Sequence, residues 1–205
     1  MRKRSIYVFV STALAMLIPS PGRFVYGLVL VLELNFLMLF GLLANSLIKK
    51  MKLEEETSVI LLATTIFSTI FFRQLLILIN AELALTLGFN LFLLPCSFFF
   101  LGYLLHQTKD PLSQRISFTF SHILTFSVYA LLYFLIRDIL GYGTFTYLNT
   151  SFQIVEKVLF DENSVIVFSI LASIPGSLLM SSIVLFVHIT IRKNINIVRN
   201  VEACK

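Results

Sequence analysis

The chain is cut into long apolar runs by short polar clusters, and that alternation limits the folds open to it. Phe24 to Ile48 is one such run, and Thr57 to Ile79 is another. About 20 apolar residues in a helix cross the ~30 Å hydrocarbon core of a bilayer. In lipid every backbone group must be satisfied internally, so helices or a closed barrel are the available solutions. Composition agrees: 58% of the 205 residues are hydrophobic, 13% are charged, and the mean hydropathy is +0.91. The expected class is all-α, a polytopic membrane protein in a lipid bilayer. The net charge of +5 does not indicate nucleic acid, because the basic residues sit in clusters between apolar runs. Cys96 and Cys204 make no disulfide framework, and no paired-cysteine, Gly-rich phosphate-loop or HExxH pattern is present.

Taken in order, the runs give six predicted spans. The first, Ile6 to Ile18, follows a basic start and ends at Pro19-Ser20-Pro21-Gly22-Arg23. At about 20 Å it is short for a span. Residues 1–22 are therefore either a short, broken first span or a signal peptide with Ala13-Leu14-Ala15 near its end. The others are Phe24–Ile48, Thr57–Ile79, Leu83–Leu105, Ile116–Ile136 and Val165–Ile191, the last interrupted by Pro175-Gly176. Asn80 to Glu82 reads as a tight turn, and Thr146 to Asn163 as an amphipathic connection.

Lysine and arginine set orientation. With the N-terminus inside, twelve of them fall on the cytoplasmic side and two, Arg23 and Lys157, outside. Both ends are thus expected inside. Six spans divide into halves, 1–80 and 81–205, of three spans each. An odd number per half makes any repeat inverted, and a Pro break opens each half, at Pro19 to Pro21 and at Pro95.

Cys96 follows Pro95 inside the fourth run, as either a small packing residue or a metal ligand. Glu33 lies about 14 Å along the second run, an expensive depth for a carboxylate without a partner. Arg73 lies in the third run. The two are expected to form a structural ion pair, with an ion or proton relay as the other reading. Asn35 and Asn45 read as interhelical hydrogen-bonding groups. His122 and His188 fit packed or interfacial positions. Arg137-Asp138 reads as a local charge pair at a helix end, with Gly141 and Gly143 letting the chain turn.

Three stretches together resemble the Rnf/Nqr family of membrane subunits in ion-translocating electron-transport complexes. Arg137-Asp138-Ile139-Leu140-Gly141-Tyr142-Gly143-Thr144-Phe145 is similar to that family's Arg-Glu-x-x-Gly-x-Gly-x-Leu/Phe signature. Ser173-Ile174-Pro175-Gly176 resembles the start of its last span. Leu91 to Gly102 sits where the family carries Asn-Cys, with Cys96 on the cysteine and Pro95 replacing the asparagine. The resemblance covers Leu83 to Thr190 and implies an inner-membrane location. It also implies a homologous membrane subunit of opposite topology and further complex subunits as partners. The N-in, C-in count matches the arm containing the E subunit of Rnf and the D subunit of Nqr. Each family subunit supplies two cysteines to a shared [2Fe–2S] cluster. Here Cys96 is the implied ligand, and Ile18 stands where the first cysteine belongs. The cluster is then incomplete, completed by another ligand, or lost. Two rival readings stay open: a substrate-binding membrane subunit of a small-solute importer, and a structural membrane protein without a site.

Overall fold

A computed structural model describes residues 18–51, 56–96, 112–160 and 169–203. Side chains within 112–119, at 121, 122 and 188, and beyond 191 are outside that description. The predicted first span lies outside it apart from Ile18, and so do Cys204 and the side chains of His122 and His188.

The architecture is mostly helical. Helix α1 is Phe24–Lys50, α2 is Thr57–Ile79, α3 is Ala81–Leu87 and α4 is Asn90–Leu93. Helix α5 is Leu112–Tyr142, and strands β1, Thr144–Leu148, and β2, Ile154–Val158, follow it. A 3-10 turn at Ser169–Ala172 leads into α6, Ile174–Ala203. Among the described residues, four helices are long and apolar enough to cross a membrane: α1, α2, the Ile123–Tyr142 part of α5, and the Ile174–Ile191 part of α6.

Helix α1 is the hub. It packs against α2 and α5 and touches β1. Of its membrane-length window 56% is buried, against 18% for that of α6. Its buried residues cover most of its circumference, and Leu32, Leu39, Leu43 and Leu47 form an exposed apolar stripe on the remaining face. Phe36 meets Phe71 and Phe72 at centroid distances of 6.2 and 5.6 Å, which fixes the antiparallel register of α1 and α2. Asn35 Nδ2 donates to Ser127 Oγ at 3.4 Å, the expected interhelical bond, here to α5.

Several helix ends meet at one end of the molecule: the start of α1, the ends of α2 and α5, and the start of α6. Lys49 and Lys50 close α1 at the other end, where cations complement the helix dipole.

Three sequence expectations change. The fourth run is not one helix: α3 stops at Gly88, which stands at φ +37°, and α4 gives way to a turn at residues 94–96. The remainder of that predicted span, 97–105, lies outside the described residues. The amphipathic connection is instead an antiparallel β-hairpin, Thr144 pairing with Val158 and Leu148 with Ile154. Pro175-Gly176 opens α6 rather than interrupting it, since proline in a first helical turn loses no needed hydrogen bond.

Candidate functional site

The most elaborate polar construction lies where those helix ends meet. Arg137 and Asp138 are neighbours in the last turns of α5, 2% and 0% exposed. Their side chains do not pair with each other locally, as the sequence suggested. Arg137 Nε donates to Leu171 O at 3.0 Å, Nη1 to Ser20 O at 3.0 Å and Nη2 to Ala172 O at 2.8 Å. One planar guanidinium thus gathers carbonyls from the segment before α1 and from the 3-10 turn before α6. Arginine's fixed fork of donors suits that task.

Asp138 serves the other side of the same junction. Its Oδ2 accepts from Phe24 N at 3.2 Å, Thr146 N at 2.8 Å and Thr146 Oγ1 at 2.7 Å. Its Oδ1 accepts from Thr144 Oγ1 at 3.1 Å. Thr146 Oγ1 in turn accepts from Val25 N at 3.4 Å. Helix α1 begins at Arg23 with no side-chain cap of its own. The orphan amides of its first turn are therefore met by a carboxylate and a hydroxyl from α5 and β1. A negative group there also complements the helix dipole. Arg23 carries the opposite charge at that terminus. It pairs with Glu156 of β2 and lies over the Tyr142 ring, 5.6 Å from its centroid.

The two glycines of the motif do different work. Gly143 follows the end of α5 at φ +67°, the left-handed conformation that lets the chain reverse into β1. Gly141 makes no turn. A Cβ there would stand 3.0 Å from Ala172 N, so its lack of a side chain lets the 3-10 turn lie against α5. Tyr133, one turn earlier, donates from its hydroxyl to Ser177 O at 3.1 Å and ties α5 to α6.

Chemically this is a joint. Both charged groups are buried and engaged largely with backbone, which fixes three chain segments and leaves the carboxylate filled with donors. Sequence reasoning missed Thr144, Thr146, Ser20 and Tyr133. The signal for the threonines was there: Thr144-Phe145-Thr146-Tyr147 alternates as a strand does, placing both hydroxyls on one face.

Glu33 and Arg73 do not join this junction, and they do not join each other. Glu33 is 0% exposed, and neither carboxylate oxygen has a hydrogen-bond partner among the described residues. Arg73 is half-buried, with its Nε buried and unpartnered. The expected ion pair is absent. Asn45 is buried in α1.

Cys96 closes the turn after α4, with its amide donating to Phe92 O at 3.3 Å, and is exposed. A [2Fe–2S] cluster takes four ligands, mostly thiolates. Among the described residues no three of His, Cys, Asp and Glu come together. The described residues by themselves do not fit a cluster. Its backbone at Ile18 is instead held structurally, the carbonyl accepting from Ser177 Oγ at 3.3 Å.

No family model, no curated protein and no solved structure matches this chain.

Proposed function

We propose that this chain is an inner-membrane subunit of an ion-translocating electron-transport complex of the Rnf/Nqr type, acting as a scaffold without a complete cluster of its own. The observation that carries the reading is the joint formed by Arg137 to Phe145. The resemblance rests on the spacing Arg-acid-x-x-Gly-x-Gly-x-Phe, and each of the four polar or glycine positions in it has a distinct physical task. Arg137 gathers carbonyls, Asp138 caps α1, Gly141 admits the 3-10 turn and Gly143 turns into β1. The broken fourth run adds support, because an interrupted helix at membrane depth needs protein around it.

In this reading the six spans run N-in and C-in, with the hairpin on the outer side. The exposed Cys96 faces a homologous subunit of opposite topology. Thiol cross-linking in native membranes tests it. A short bifunctional thiol reagent is expected to join Cys96 to a homologous membrane subunit, and Cys96→Ser to abolish the product. Ready formation of the adduct with bulky maleimide in the intact membrane, and no cross-link to such a subunit, would overturn the arrangement.

A further inference from the structure

We propose that Glu33 is a proton-binding carboxyl inside the membrane, held as the neutral acid and able to exchange its proton with water. This does not rest on the complex assignment above; it stands on the surroundings of one side chain.

Glu33 lies in the apolar stripe of α1 formed by Tyr26, Leu30, Leu37 and Gly41, all buried. It is nine residues into a 27-residue helix, about 14 Å from its start and about 6 Å from its midpoint. It is 0% exposed, and among the described residues neither oxygen has a hydrogen-bond partner. The contrast with Asp138 is informative. That carboxyl is equally buried, and its oxygens accept from Phe24 N, Thr144 Oγ1 and both the amide and hydroxyl of Thr146. A carboxylate is an acceptor with four lone-pair sites, and one left without donors in an apolar interior is relieved most simply by taking up a proton.

The charged and titratable groups on the neighbouring helices do not remove the need. On α2 the group is Arg73, which the contact of Phe36 with Phe71 and Phe72 places within about one turn of the level of Glu33. Arg73 nevertheless forms no ion pair with it. On α5 the charged and titratable groups with described side chains are Tyr129, Tyr133, Arg137, Asp138 and Tyr142, and β1 carries Tyr147. Tyr133 donates to Ser177, and Arg137 and Asp138 are engaged in the joint. None bonds to Glu33. Metal binding is a poorer match, since among the described residues no three ligating side chains gather anywhere, whereas a proton needs no shell. In exchange the O–H bond breaks, the electron pair stays on the carboxylate, and the proton passes to water.

The test is infrared difference spectroscopy on the full chain in lipid, wild type against Glu33→Gln, in light and heavy water at neutral pH. The expected result is a protonated-carboxyl carbonyl band, lost in the variant and shifted in heavy water. A band that is absent at neutral pH overturns the protonated state, and a band that never shifts overturns exchange. A second measurement needs no variant. A hydrophobic carbodiimide, which attacks protonated carboxyls, is expected to modify Glu33 in the wild-type protein, with labelling falling as pH rises. Labelling of the loop glutamates alone would overturn the proposal.

Discussion

Arg137 and Asp138 illustrate how adjacent residues on a helix serve opposite sides of a junction. A helix turns 100° per residue, so neighbours point apart. Arg137 reaches Ser20 and the 3-10 turn, while Asp138 reaches Phe24 and β1. Hydrogen bonds to charged groups each contribute about 1.5–3 kcal/mol, and stranding buried partners costs a similar amount. Arg137→Lys keeps the charge but not the fork, and is expected to destabilise the chain by at least about 2 kcal/mol. Asp138→Asn puts an amide donor among donors, with an expected loss of about 1.5–3 kcal/mol. Thermal unfolding in detergent checks both. At this scale the sequence showed which residues mattered: Arg137, Asp138 and Glu33 are ionisable groups in or beside apolar runs. Their partners were hidden, because Asp138 and Phe24 are 114 positions apart and carbonyls leave no mark in a sequence. Helical position and charge sign suggested that Glu33 and Arg73 would pair, and in the fold they do not.

The hairpin shows what an element adds. Its strands are joined through Asn149 to Gln153, with Phe152 at φ +56°, a conformation that costs a bulky residue about 1–2 kcal/mol. The same residue offers its carbonyl to Asn80 Nδ2 at 2.6 Å. Asn80 Oδ1 meanwhile accepts from Glu82 N and Leu83 N at 2.9 and 3.1 Å, capping α3. One side chain therefore links the end of α2, the start of α3 and the hairpin. Phe152→Gly is expected to raise the unfolding temperature by relieving the backbone. Asn80→Asp retains the cap and loses the donor, so it should lower stability less than Asn80→Ala, whose cap loss alone is worth about 1 kcal/mol. Thermal melts of the three variants give the order. The long helices were legible because apolar length is a strong signal. The hairpin was not, because its five-residue strands lie against a polar stretch with no long apolar run. The break at Gly88 was also missed: Pro95 drew attention to the centre of the fourth run, while the first interruption depends on a backbone angle seven residues earlier.

At the scale of the whole molecule, α1 is the most buried of the long helices, while α2 and α6 leave more of their apolar surface open. Phe67, Leu78, Ile183 and Phe186 are among the exposed apolar residues, as suits helices facing lipid or other subunits. Cys96 is exposed as well. In the isolated chain a maleimide is expected to modify Cys96 quickly, and assembly with a homologous subunit should slow that reaction at least tenfold. Mass spectrometry of the peptide containing Cys96 separates it from Cys204. The apolar character was plain in the composition, and the division into long apolar runs in the order of the residues. For function the sequence offered only a resemblance carried by short motifs. The most direct measurement of the central claim is isolation of the tagged full-length chain from its native membranes in mild detergent, with every copurifying protein identified. The expected result is a stoichiometric set containing a homologous membrane subunit and redox subunits of an ion-translocating complex. Recovery of the chain alone, or together with the components of a solute importer, would contradict it.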